Sequence, residues 1–392
     1  MSDLLPAARM QRLGTETAFE VLARAEALAG EGRDIINLGI GQPDFKTPPH
    51  IVEAAIKALR DGHHGYTPAP GIPVLREAVS ADLQARHGVT IDPSCIVVVP
   101  GGKVTMNFAI MMFGEPGVEI LYPNPGFPIY ESMINFSGAT AVPFALLEDQ
   151  GFAFDTDALL ARVSERTRLI ILNSPANPTG GVVPKPVIDR LVEGLLQHPG
   201  VAILSDEIYS RMLFDEREHV SLLQYPEIAE RVIMLDGWSK TYAMTGWRLG
   251  YAVWPAALVE HATRLAVNCH SCVNAAAQHA GVAALQGDQS AVTAMLHAFD
   301  ERRAIVVEGL NAISGVRCQT PGGAFYAFPN IQQTGLSARA LQQQLLERHG
   351  VATIAGTSFG AFGEGYLRLS YANSLDNIRA ALQRMHEAIE AL

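Results

Sequence analysis

Lys240 and Arg248 stand eight residues apart in the run Ser239-Lys240-Thr241-Tyr242-Ala243-Met244-Thr245-Gly246-Trp247-Arg248-Leu249-Gly250-Tyr251. An apolar stretch, Arg231-Val232-Ile233-Met234-Leu235, leads into it and reads as a strand. A lysine carried into an enclosed apolar site has its charged form disfavoured, so its amine becomes a usable nucleophile. A nearby arginine supplies a permanent cation for a phosphate. The pair suits a cofactor held by an imine bond and a phosphate anchor. The competing reading of Lys240 is a solvated surface lysine, as most lysines are. Spacing alone leaves both open.

Other residues offer matching chemistry. Asp206 follows Ser205 at the end of the apolar stretch Val201–Leu204. A carboxylate there can pair with a ring nitrogen and keep it protonated; the alternative is a solvated turn aspartate. Asn177 precedes Pro178 and Gly180, a turn sequence. Pro100-Gly101-Gly102-Lys103 opens a helix directly after a strand, where small residues let backbone N–H groups approach a phosphate at the positive helix end. It is not a Walker A loop, because GxxxxGK[ST] is absent. Phe127 by itself reads as a core aromatic. Arg368 lies between Leu367 and Leu369. It is either an edge-strand cation pointing to water or a buried cation that needs an anion, and a bidentate carboxylate fits its fork.

Six segments extend the pattern in one order: NLGIGQPDF near residue 40, GYTPAPGIPVLREAV near 70, PGGK at 100, SPANPTGG near 177, SDEIY near 207 and YLRLSYA near 369. With the Lys240 run they resemble the class I aminotransferases, within the fold-type I enzymes that use pyridoxal 5′-phosphate (PLP). The resemblance spans nearly the whole chain. It implies that Lys240 forms the imine and, once displaced by substrate, moves the α-proton as base and acid. It implies that Asp206 pairs with the pyridine nitrogen, and that Tyr209 and the Asn177 amide donate to the phenolate oxygen. Backbone amides of Gly101, Gly102 and Lys103 would hold the phosphate, with Ser239 and Arg248 completing the cup. Phe127 would stack on the ring where relatives carry tryptophan or tyrosine. Tyr66 aligns with a tyrosine that reaches the phosphate in the partner subunit. Arg368 would grip the substrate α-carboxylate, helped by Asn177 and the N–H of Gly41. Gln42 departs from the commoner glutamate.

The implied activity is a PLP-dependent aminotransferase that moves the amino group of an L-amino acid to a 2-oxo acid by a ping-pong reaction, in a homodimer with shared sites. Another fold-type I PLP enzyme, a carbon–sulfur lyase or cyclising synthase, shares the same lysine, aspartate and phosphate cup. A PLP-binding regulatory module would usually carry an added DNA-binding domain, and the chain opens instead on the enzyme-like segment. The substrate side chain is undeclared: acidic substrates want a second cation in the pocket, aromatic ones want apolar walls. Among the histidines only His270 lies near a segment that borders substrate pockets in relatives.

These residues need a large scaffold. The 392 residues suit two domains, and 48% hydrophobic with 18% charged residues fits a folded chain. The net charge of −11 makes nucleic acid a poor partner. Cys269 and Cys272 have CxxC spacing but no second pair, so free thiols and no metal are expected, in a reducing cytoplasm. No secretory signal core and no membrane-length apolar run is evident. Apolar strands alternate with helices from Ile96 to Leu235, which predicts an α/β fold with a mainly parallel sheet covered by helices. Ligands then sit at the carboxyl ends of strands. A capping box of Thr17 and Glu20 predicts a helix to about Gly30. A long helical segment is predicted from about Pro255 to Gly309, followed by short strands near 324–328, a helix at 338–349, a strand at 367–370 and a final helix. This gives a large PLP-binding domain at 47–290 and a smaller α+β domain from 1–46 with 291–392.

Overall fold

Runs of consecutive aliphatic residues have no polar face to offer water, so they settle in a sheet covered on both sides. The computed structural model, which describes residues 4–15 and 17–392, places them there. Residues 1–3 and 16, part of the segment expected to join the small domain, lie outside the described residues. Among the described residues, one sheet has eight strands. Their order is Ile96–Val99, Gly250–Val253, Val232–Gly237, Ala202–Asp206, Thr167–Asn173, Glu119–Asn124, Thr140–Leu147 and Ala153–Phe154. From Val232–Gly237 to Thr140–Leu147 every pairing is parallel. Gly250–Val253 runs antiparallel to both neighbours, and Ala153–Phe154 antiparallel to its one. The α/β class with a mainly parallel sheet is as expected.

A second set of elements packs separately. Tyr326–Ala327, Leu367–Ser370 and Ile354–Ala355 form an antiparallel three-stranded sheet. Ile36–Asn37 pairs in parallel with Val351–Ala352. The helix Leu375–Glu390 buries Ile378, Ala381, Leu382, Met385, Ala388 and Ile389, a single stripe at helical spacing. Ser374 caps it by accepting from the Asn377 N–H at 3.2 Å. The stripe shares a core with Phe299, Phe325 and Tyr371, and with Ile36, Leu38, Tyr209 and Met212. Chain leading into the first strand and chain leaving Asp206 therefore meet in the same apolar cluster.

Three expectations need correction. The segment from Pro255 to Gly309 is three helices, Ala256–His270, Ala275–Gln286 and Ser290–Asn311. The first break falls at Ser271, whose φ is +62°, and Asn274 caps the next helix by accepting from Ala277 N–H at 2.9 Å. Thr17 does not cap its helix: it is the first helical residue of Thr17–Gly30, and its buried Oγ1 has no hydrogen-bond partner. The strand Gly250–Val253, not expected from the sequence, begins on the last two residues of the lysine–arginine run, where motif residues masked its short apolar pattern.

Candidate active site

Three parallel strands, Thr167–Asn173, Ala202–Asp206 and Val232–Gly237, end on the site. Val232–Gly237 leads into Trp238, whose buried indole donates to Gly281 O at 3.1 Å and anchors the turn. Lys240 follows, half-buried, with Nζ donating to Gly41 O at 2.5 Å. The ammonium stands 5.9 Å from the Tyr209 ring centroid and 5.8 Å from that of Phe325. Arg248 is held at φ +54° and donates to Thr245 O at 2.9 Å and Pro100 O at 3.3 Å. Gly101, at φ +91°, lies directly against it: a Cβ there would overlap the guanidinium. Only glycine lets the Pro100–Lys103 turn, the start of helix Lys103–Phe113, meet the arginine.

Asp206 ends Ala202–Asp206 and is 3% exposed. Its Oδ2 accepts from the Tyr130 hydroxyl at 2.6 Å and its Oδ1 from the Ile208 N–H at 3.3 Å. Burial pushes its carboxyl up to about 6; those two donors pull the other way, and Asp236 and Glu207 add to the rise. Asn173, at the end of the neighbouring strand, donates to Asp206 O at 3.0 Å and accepts from the Asn177 N–H at 3.0 Å. The Tyr209 hydroxyl shares a hydrogen bond with that of Tyr326 at 2.7 Å, and burial drives its phenol well above the usual range.

Arg368 is a buried cation, 3% exposed. Its Nη1 donates to Asn177 Oδ1 at 3.2 Å and its Nη2 to Gly39 O. Tyr326 and Phe359 present ring faces to the guanidinium, each with its centroid 4.8 Å away. Gly41, whose N–H is the group expected at the α-carboxylate, offers its carbonyl to Lys240, while the carbonyl of Gly39, two residues earlier, faces the arginine. A Cβ on Gly41 would overlap the Tyr326 hydroxyl.

These groups converge on one cavity of about 520 Å³. Of the predicted residues, Gly41, Gly102, Lys103, Phe127, Asn177, Asp206, Tyr209, Ser239, Lys240, Arg248 and Arg368 line it. Gly101 sits just behind, against Arg248. Tyr66 is not brought in; it is 95% exposed. His270 stacks on Phe108 at 6.1 Å and is not among the lining residues. The four cysteines are free, and among the described residues no group of three or more His, Cys, Asp or Glu could hold a metal. No helix among them is long and apolar enough to cross a membrane.

Sequence reasoning missed Tyr130, Asn173, Tyr326 and Phe359, and the roof formed by Phe19 and Leu22 of the first helix. Asn173 was within reach, as the polar residue closing an apolar strand. Tyr326 and Phe359 read as core aromatics, and nothing local marks them as walls for Arg368.

The cavity can be matched to PLP group by group. It supplies a half-buried amine, a buried carboxylate, a glycine turn at a helix N-terminus flanked by Arg248 and Ser239, and an aromatic ring in Phe127. A phosphate suits the helix end and the arginine, and the volume suits a small cofactor with substrate. The residues fit the group.

Comparison with known proteins agrees. The model of the family described as aminotransferase class I and II matches residues 33–385. The chain is 37% identical to the aspartate aminotransferase of Pyrococcus horikoshii over 92% of each chain. It is 36% identical to that of Geobacillus stearothermophilus over 98% of this chain and 99% of the other. The crystal structure of the Rhizobium meliloti aspartate aminotransferase superposes with a TM-score of 0.95 at 34% identity, covering 99% of both chains. The chain thus belongs to the class I and II aminotransferases: it is a fold-type I enzyme that uses PLP to transfer amino groups between amino acids and 2-oxo acids.

Proposed function

We propose that this aminotransferase acts on a dicarboxylic amino acid such as aspartate, and that Lys103 receives the distal carboxylate. The observation that carries this is one more cationic side chain in the cavity, Lys103, beyond the Lys240 and Arg248 assigned to the cofactor and the Arg368 that suits the α-carboxylate. Lys103 opens helix Lys103–Phe113 and lines the cavity. Its ammonium lies over Phe127 at 5.3 Å and Phe19 at 5.9 Å, at the cavity wall. The three relatives named above are aspartate aminotransferases, which supports the same reading.

When bound, PLP supplies an aldehyde that condenses with amines and a ring that accepts the electron pair left by a departing proton. In the proposed division of labour Lys240 holds the cofactor, and its released amine carries the α-proton. Asp206 keeps the ring nitrogen protonated. Tyr209 and Asn177 hold the phenolate oxygen. Gly101, Gly102, Lys103 N–H, Ser239 and Arg248 hold the phosphate, and Phe127 covers a ring face. Arg368 with Asn177 orients the α-carboxylate.

Lys103→Met tests the substrate reading. The expected result is a drop in kcat/KM for aspartate of about tenfold or more, from loss of a charged hydrogen bond. Alanine as donor should be nearly unaffected, with PLP affinity unchanged. Equal losses for both donors with weaker PLP binding would assign the lysine to the phosphate instead.

The enzyme is further proposed to be a cytoplasmic homodimer with domains at 47–290 and at 1–46 with 291–392. The exposure of Tyr66 supports the dimer, since a tyrosine 95% exposed in one chain is available to a second. Mixing Tyr66→Phe with Lys240→Ala protomers tests it. A two-fold dimer with crossed contributions gives one doubly defective and one intact site. Each mixed dimer is then expected to regain one site with wild-type PLP affinity and about half the activity. Mixed dimers in which neither site recovers would mean that each site is built within one chain.

A further inference from the structure

We infer that Tyr130 is a positioning residue for the reaction: its hydroxyl orients the Asp206 carboxylate and its ring braces Phe127. This rests on the reading that Asp206 meets the cofactor's ring nitrogen. Tyr130 has none of its surface exposed and does not line the cavity, so it acts through its neighbours. A buried phenol needs a partner. This one donates to Asp206 Oδ2 at 2.6 Å, the short range of an O–H bonded to a carboxylate.

The direction of the bond is set by the surroundings. Burial and the adjacent Asp206 push the Tyr130 phenol well above its usual range, so it remains the donor. The groups acting on Asp206 are Tyr130, the Ile208 N–H, Asp236, Glu207 and Tyr209. Asp236 and Glu207 both oppose its ionisation, and the Ile208 contact is long at 3.3 Å. The Tyr130 hydroxyl is thus the short donor that holds the carboxylate as an acceptor and fixes its plane at the strand end.

The same ring meets Phe127 edge to face, with centroids 5.8 Å apart at 81°. The Tyr130 N–H also donates to Phe127 O at 3.1 Å. One side chain therefore joins the residue placed against the cofactor's face to the residue placed at its nitrogen. The signal in sequence is modest: a tyrosine three residues after the stacking aromatic, at the start of helix Ile129–Ser137.

Tyr130→Phe removes the hydroxyl and keeps the ring. PLP dissociation constants should be measured across pH for Tyr130→Phe, Asp206→Ala and the double variant. Losing a hydrogen bond to a charged group is expected to weaken PLP binding about tenfold near neutral pH. Without that donor Asp206 takes up its proton more readily, so the pH below which PLP binding weakens should rise by about one unit. In the Asp206→Ala background the same substitution should change affinity less than about twofold. Equal weakening in both backgrounds, or no change in the wild-type background, would overturn the inference. If Asp206→Ala alone left PLP affinity unchanged, the reading of Asp206 would fall first and this one with it.

Discussion

Lys240→Ala is expected to lower turnover by about 10⁴-fold or more, because one substitution removes both the cofactor's covalent anchor and the group that moves the α-proton. The ammonium sits between the Tyr209 and Phe325 rings, close to Gly41 O, in a wall that a methyl side chain cannot replace. Lys103, the other lysine lining the cavity among the described residues, stands over Phe127 and Phe19. It is therefore not expected to substitute. Borohydride reduction followed by peptide mapping checks this separately from rate. Wild-type enzyme should carry the cofactor on the peptide containing Lys240, and the variant should carry none. A variant with near-normal turnover, or one labelled at Lys103, would remove Lys240 from its role.

Arg368→Ala is expected to cost about 3–5 kcal/mol in kcat/KM for amino acids, the range for breaking a buried charged pair. That is roughly a few hundred- to a few thousand-fold. The guanidinium is buried between two aromatic faces with Asn177 Oδ1 and Gly39 O as acceptors, so it meets a carboxylate with little water to screen it. Without it, both acceptors would face an incoming anion. Amines that lack the α-carboxylate should lose much less. Equal losses for amino acids and simple amines would show that the arginine serves the fold instead.

Most of the scaffold under these groups was legible because its signals are local. The helix Ala338–His349 and the strand Leu367–Ser370 have the bounds that their patterns predict. The chemistry-bearing residues were legible because they follow strand ends, and a parallel sheet gathers strand ends on one side. What stayed hidden depends on contacts between distant segments. Nothing near Tyr326 says that its hydroxyl meets Tyr209 or that its ring faces Arg368. The Arg368 contact with Gly39 O depends on how the loop packs, and only the packed structure sets which carbonyl points inward. The break at Ser271 was missed because neither glycine nor proline marks it.

The most direct measurement is a half-reaction. Wild-type enzyme loaded with PLP is mixed with aspartate and no acceptor, and released 2-oxo acid and ammonia are counted. Amino transfer with retention on the enzyme should give about one equivalent of 2-oxo acid per chain and no free ammonia. A 2-oxo acid added afterwards should then leave as the matching amino acid, and Lys240→Ala should give neither product over the same time. Continuous release of 2-oxo acid with free ammonia, in the absence of any acceptor, would contradict the account.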